Sequence, residues 1–225
     1  MNNTTEKEGE AMYRAVIFDF DGTLIDSETH LFEVMNKQLI KYGAEPVSKA
    51  FYQRSIGGAA EELQDYLTQA LGEEKKAEIY DIHHKTMDEL PLRTGIEKLL
   101  QQLKQHHIPM AIATSSYAKD IEAAYRSLGL DQYIDVMIGR EAVSEVKPNP
   151  EPYLTAVQAL HFSPEHCLAL EDSINGATAA MRAGLDVIVN TNPITESQDF
   201  SDITYLAKEV PASDIFEKYI RQGKE

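Results

Sequence analysis

The chain reads as an α/β protein: a core built on a parallel sheet, with a block of helices inserted after the first strand. Three observations carry this reading. Ala15-Val16-Ile17-Phe18 is a short, wholly apolar run, as expected of a strand covered on both faces. From Leu92 onward, short apolar runs alternate with stretches of helical spacing, the signature of βαβ units. Between them, from about Glu28 to Leu90, apolar residues recur at helical spacing and no convincing strand intervenes.

Composition sets the outer limits. With 225 residues, 43% hydrophobic and 26% charged, the chain can bury one sizeable core and a smaller insert. A net charge of -16 repels a nucleic-acid backbone and an anionic membrane surface, so neither is an expected partner. The lone Cys167 cannot form an internal disulfide and sits in an apolar run that suggests burial. Residues 1–11 are polar and acidic, lack the apolar core of a signal peptide, and are expected to be disordered. No stretch approaches the roughly 20 apolar residues of a spanning helix, and the expected location is the cytoplasm.

In the inserted block, Leu31, Met35, Leu39 and Tyr42 form one helical stripe, which Gly43 ends. Ser48 can cap a short helix that runs toward Ser55 and is broken at Gly57-Gly58. Leu63, Tyr66, Leu67 and Leu71 mark a third helix stopping at Gly72, and a fourth runs from about Glu73 to Glu89 before Pro91.

Beyond it, Ile96, Leu99, Leu100 and Leu103 give a helix and Met110 to Ala113 a strand. Ile121, Ala124, Tyr125 and Leu128 define the next helix, closed by Gly129, and Val136 to Ile138 the next strand. A helix from Pro152 to Leu160, a strand from Cys167 to Leu170, a helix from Ile174 to Ala183 and a strand from Val187 to Val189 follow. Phe216 and Ile220 suggest a packed terminal helix. The expected division is therefore a discontinuous core, 12–27 and 92–220, around a helical unit at 28–91.

The chemistry-bearing residues stand at the ends of these strands. Asp19 and Asp21, in Asp19-Phe20-Asp21-Gly22-Thr23, follow the first strand, where ligands of parallel sheets bind. Alone, Asp21-Gly22 would suit a plain turn. Thr114-Ser115-Ser116 follows the second strand and could equally cap the next helix. Lys147 lies in Val146-Lys147-Pro148-Asn149-Pro150, where Pro148, Pro150 and Pro152 stiffen the backbone around it. Glu171-Asp172 follows the strand that ends at Leu170 and offers the oxygen ligands magnesium prefers. His83-His84 and His106-His107 point about 100° apart on a helix and are expected at the surface.

Taken together, these segments resemble the four motifs of the haloacid dehalogenase-like hydrolases, whose first motif reads DxDGT. Within them the chain is similar to the branch of beta-phosphoglucomutase and related sugar-phosphate phosphatases. The resemblance implies a Rossmann-like three-layer core under a helical cap that closes over the site. It implies Asp19 as the nucleophile that becomes an aspartyl-phosphate, and Asp21 as the acid, then base. It places Thr114, Ser115 and Lys147 on the substrate phosphate. It implies Mg²⁺ held by Asp19, the backbone carbonyl of Asp21, Asp172 and, directly or through a hydrogen bond, Glu171, with Asn175 assisting. Family dehalogenases lack the second aspartate, so Asp21 favours phosphate over halide.

The expected activity is a Mg²⁺-dependent phosphatase acting on a small phosphorylated metabolite, a sugar phosphate by preference, as a monomer. A hexose-phosphate mutase is the alternative; the arginine that grips the distal phosphate in beta-phosphoglucomutase has no counterpart in Ile56-Gly57-Gly58-Ala59-Ala60-Glu61. A non-enzymatic phosphate-binding regulator is disfavoured by the presence of both Asp19 and Asp21. Phosphonate hydrolysis, which in the relevant relatives needs a cap lysine, is open in principle; Lys37 and Lys49 lie in the inserted helices, but neither sits in a recognisable motif. Glu28, His30, Arg54 and the Gly57-Gly58 loop are the candidate specificity residues.

Overall fold

The computed structural model describes residues 13–220. The expectation for residues 1–11 lies outside the described residues. Six parallel strands form one sheet: β1 (Ala15–Phe18), β2 (Met110–Ala113), β3 (Val136–Ile138), β4 (Cys167–Glu171), β5 (Asp186–Val189) and β6 (Ala207–Lys208). Their order is β3-β2-β1-β4-β5-β6. The chain builds outward from β1 in one direction, then returns to β1's other side with β4. This reversal leaves a crevice at the carboxyl ends of β1 and β4, the place where open α/β sheets bind ligands.

The alternation of side chains along β1 explains the layering. Val16 and Phe18 face a core shared with α4 (Ile96–Gln105), α5 (Ala118–Ser127) and α8 (Ala212–Ile215). Ala15 and Ile17 face a second core shared with α6 (Glu151–Leu160) and α7 (Ile174–Arg182). The sheet is thus covered on both faces, which is why its strands are apolar throughout rather than alternating. Cys167 is fully buried in the second core.

α1 (Ser27–Lys41), α2 (Lys49–Gln53) and α3 (Glu61–Thr86) lie between β1 and β2 in the chain. Ser48 caps α2 by accepting from Phe51 N. Gly72, at φ 78 and ψ 165, breaks α3 at the point where the sequence predicts a stop. These helices pack around their own apolar cluster of Met35, Leu39, Tyr52, Leu63, Leu67 and Ile79, joined by Ile194 from the loop after β5.

Two strand ends and one strand differ from the sequence reading. β4 runs on to Glu171 and β5 starts at Asp186, because parallel pairing continues through Glu171↔Val189 and Leu168↔Asp186. The two-residue β6 was not predicted, having no apolar pattern of its own. After α8 the chain continues as a wider turn, Phe216–Ile220, with both named residues buried.

Candidate active site

The end of β1 places Asp19 and Asp21 in different surroundings. Asp19 is buried and accepts from Lys147 Nζ at 2.6 Å. Asp21 is half-buried and ringed by hydroxyls: Ser27 Oγ donates to its Oδ1 at 2.7 Å, Ser116 Oγ to its Oδ2 at 2.6 Å, and Thr114 Oγ1 to the same oxygen at 3.3 Å. Gly22 turns the chain at φ +81, and a Cβ there would lie 2.5 Å from Asp172 Oδ2. Only glycine permits this approach of the first strand's turn to Asp172.

Lys147 links the two central strands. Its Nζ also donates to Glu171 Oε1 at 2.6 Å, and that oxygen accepts from Tyr153 OH at 2.6 Å. The ammonium lies 5.0 Å from the centre of the Tyr153 ring. Burial alone would lower its pKa, but the facing carboxylates of Asp19 and Glu171 outweigh this and hold it well above the usual range. Burial pushes Asp19 well up, against Lys147 and with the added repulsion of Glu171, Asp172 and Asp21. Asp172 is also raised, by burial first and then by the charges of Glu171 and Glu28.

Asp19, Glu171 and Asp172 bring carboxylate oxygens within 4.8 Å of one another, all buried. Against three carboxylates Lys147 supplies one charge, leaving the group two positive charges short when ionised. An all-oxygen donor set with that deficit fits a hard divalent cation. The carboxylate of Asp21 stands outside this group and is engaged by the hydroxyls.

Asp172 is itself held from several sides. Asn192 Nδ2 donates to its Oδ2 at 2.7 Å, Thr195 Oγ1 to the same oxygen at 3.3 Å, and Thr23 Oγ1 to its Oδ1 at 3.2 Å. Arg93 donates to the carbonyls of Gly22, Asn190 (2.9 Å) and Thr191 (2.5 Å), so one side chain ties the turn after β1 to the loop after β5. Sequence reasoning missed Arg93, Asn192 and Thr195, which lie in loops with no local pattern. Ser116 and Tyr153 were within reach: one sits in a hydroxyl run already singled out, the other six residues after Lys147.

Thr114 is buried; its Oγ1 accepts from Ser116 N at 3.0 Å and reaches Asp21. Ser115 Oγ donates to Gly57 O at 3.0 Å, and Asn175 Nδ2 to Ile56 O at 2.7 Å. The side chains of Ser115 and Asn175 therefore hold the loop between α2 and α3. A Cβ on Gly57, at φ +71, would lie 2.5 Å from Ser173 Oγ, so the loop seats directly on the start of α7.

Between this loop, the inserted helices and the sheet lies a cavity of about 490 Å³, lined by Asp19, Asp21, Glu28, Gln64, Tyr80 and His84 among others. Glu28 opens part of its surface to the cavity, yet lies deep enough that burial, then the Asp21 charge, push its carboxyl up to about 8. Tyr52 OH donates to it at 2.7 Å. Other sequence candidates fall elsewhere. Arg54 is exposed and forms a two-bond pair with Glu62 at 2.8 and 3.0 Å. Lys37 is exposed, and Lys49 pairs with Glu196 at 3.1 Å, so neither is among the cavity's lining residues. His83, expected at the surface, is buried, because the chain of α1 brings His30 Nδ1 to 2.9 Å from its Nδ1.

The family model described as haloacid dehalogenase-like hydrolase matches residues 16–190. The chain is 35% identical over 197 residues to the "Putative phosphatase YhcW" of Bacillus subtilis, spanning 85% of this chain and 89% of that protein. It is 33% identical over 180 residues to the "Phosphorylated carbohydrates phosphatase" of Thermotoga maritima, spanning 77% and 83%. Among solved structures, CbbY from Rhodobacter sphaeroides in complex with phosphate superposes with a TM-score of 0.77 at 26% identity, covering 91% of this chain and 96% of that one. A putative beta-phosphoglucomutase from Thermotoga maritima gives 0.75 at 29% identity, covering 91% and 97%. A family match over residues 16–190, most of the chain, shows that the chain belongs to the haloacid dehalogenase-like hydrolases.

Proposed function

We propose that this hydrolase, which acts on phosphate esters, is a Mg²⁺-dependent phosphatase of a small phosphorylated metabolite, with a sugar phosphate as the favoured class. The observation that carries the reading is the unequal setting of the two aspartates. Asp19 lies in a buried group of three carboxylates with Lys147, while Asp21 stands beside it among hydroxyls. The names of the phosphatases at 33% and 35% identity support the same class.

A carboxylate approaching a phosphate dianion meets about 4 kcal/mol of repulsion per pair of unit charges at 4 Å and an effective dielectric near 20. Lys147 offsets part of it. Asp19, Asp172, the backbone carbonyl of Asp21 and Glu171, directly or through a hydrogen bond, would hold Mg²⁺. When bound, Mg²⁺ supplies charge neutralisation at the transferring phosphoryl group.

An Asp19 oxygen attacks phosphorus, the bond to the ester oxygen breaks, and Asp21 gives its proton to that leaving oxygen. The Asp21 carboxylate then takes a proton from water, whose oxygen attacks phosphorus and releases Asp19. Ser27 and Ser116 keep Asp21 oriented for both transfers. Thr114 Oγ and the N–H of Ser115 hold phosphate oxygens, and Asn175 steadies the loop above them. Residues 28–91 act as a cap, hinged near Asp26 and Pro91 to Gly95, that excludes bulk water when seated. The reading places the enzyme in the cytoplasm as a monomer.

Release of inorganic phosphate from a panel of phosphorylated metabolites and an aryl phosphate tests the reading. Asp19→Asn is expected to lower turnover by at least a thousandfold, and chelation to abolish it until Mg²⁺ is restored. Activity retained within tenfold by Asp19→Asn overturns the nucleophile assignment. With beta-glucose 1-phosphate and a trace of the bisphosphate, free phosphate supports hydrolysis and glucose 6-phosphate supports the mutase.

A further inference from the structure

The cavity over Asp19 has a single arginine or lysine among its lining residues, Arg140. Lys147 stands on the β1–β4 side and is spent on Asp19 and Glu171. Arg140 stands on the opposite side, just beyond β3, two strands from β1. At about 4.8 Å per strand its backbone lies about 10 Å from that of Asp19.

Arg140 is fixed in place but its charge is not used. Its N–H donates to Ser116 O at 2.9 Å, tying it to the residue that holds Asp21. Its guanidinium rests 5.8 Å from the centre of the Tyr117 ring, which also lines the cavity. Among the described residues, no carboxylate lies within 4.0 Å of it, although Asp120 lines the same cavity. A half-buried guanidinium facing a cavity otherwise lined by Asp19, Asp21, Glu28 and Asp120 is a ready site for an anion.

We propose that Arg140 binds a second anionic group of the substrate, a phosphate or carboxylate, so that the substrate class is a short, hydroxylated molecule charged at both ends. The proposal rests on the phosphatase reading above and specifies its substrate. The cavity, at about 490 Å³, is large enough for a whole metabolite rather than a phosphate alone. Between its two charged ends, Gln64, Tyr80, His84 and Glu28 offer partners for hydroxyl groups. The Tyr117 ring, with its centre 5.8 Å from the guanidinium carbon, gives the arginine an aromatic neighbour inside the cavity.

The test compares kcat/KM within two substrate pairs: fructose 1,6-bisphosphate against fructose 6-phosphate, and 3-phosphoglycerate against glycerol 3-phosphate. The wild-type protein with Mg²⁺ is expected to favour the doubly charged member of at least one pair by tenfold or more; which pair responds tells phosphate from carboxylate. Arg140→Gln is expected to bring that ratio to within threefold of one, and Arg140→Lys to restore part of it. No wild-type preference in either pair overturns the proposal. So does a ratio that Arg140→Gln leaves unchanged because both members fall together. If the wild type releases phosphate from an aryl phosphate but from neither pair, this proposal falls and the phosphatase reading stands. If it releases none from any of the five, both fall.

Discussion

Lys147 shows how a single side chain organises the site. Its ammonium is buried and bonded to two carboxylates that belong to neighbouring strands. Removing one partner of such a buried network leaves charges without compensation, at a cost of about 3–5 kcal/mol. Lys147→Met is therefore expected to lower the free energy of urea unfolding by that much at neutral pH, with a lower midpoint, and to abolish phosphate release. An unchanged midpoint would show that Asp19 and Glu171 do not depend on the ammonium. The sequence marked Lys147 through its prolines, but its two partners are 128 and 24 residues away and leave no trace near it.

His83 is the opposite case, a residue whose role is set by burial. Burial, then the neighbouring His30 and His84, push its imidazole down to about 3. Thr86 Oγ1 lies 3.1 Å from His30 Nε2 and donates to Ile82 O, so neutral His30 is assigned as donor to Thr86 and acceptor from His83. In the unfolded chain His83 takes a proton near pH 6.5, in the native protein only near 3. Its contribution is thus complete above about pH 6.5 and lost as the pH falls toward 3. At pH 5 the loss is about 2 kcal/mol. Urea unfolding at pH 7.5 and pH 5 should show this loss in the wild type and a smaller one in His83→Asn; equal losses would sink the assignment. The helical stripe could not reveal this, because burial at position 83 depends on α1 crossing it.

At the level of elements, the loop Ile56–Gly58 joins the inserted helices to the core. Ser115 and Asn175 each donate to one of its carbonyls, and Gly57 approaches Ser173 too closely for any Cβ. A left-handed residue other than glycine costs about 1–2 kcal/mol, and the clash adds to it. Gly57→Ala is therefore expected to lower kcat/KM by about tenfold or more in steady-state phosphate release, through a loop that no longer seats. A variant with wild-type kcat/KM would remove the loop from the closure scheme. Gly57-Gly58 was legible as a break between helices. That the break is a docking point was not, since Ser173 lies on an element more than a hundred positions away. The strands themselves were legible because each is an apolar run; β6 was not, because Ala207 and Lys208 join the sheet only through pairing with Ile188 and Val189.

At the scale of the whole molecule, charge governs how substrate arrives. The net charge of -16 repels an anionic metabolite, and the cavity adds Glu28 and Asp120 to the acids of the site. Screening shortens from about 30 Å at 0.01 M salt to about 8 Å at 0.15 M. Over that range kcat/KM for a phosphorylated metabolite is expected to rise by about two- to threefold, with Mg²⁺ held saturating. A fall would mean that Lys147 and Arg140 dominate the approach instead. Among the described residues no helix is long and apolar enough to cross a membrane.

The sequence by itself determined that a buried strand ends in Asp19 and Asp21, that hydroxyls, a lysine and two acids stand near the ends of later segments, and that helices separate the first strand from the rest. These are properties of windows of a few residues, where periodicity and turn chemistry act. The tertiary structure alone decided which of them meet. Strand order placed β1 between β2 and β4, and so set Thr114 and Ser116 on Asp21, Lys147 between Asp19 and Glu171, and Asn192 on Asp172. It also put Arg140 among the residues that line the cavity over Asp19. Long-range neighbours are fixed by how layers pack and by which loops emerge side by side, and that information resides in the fold of the whole chain rather than in any stretch of it.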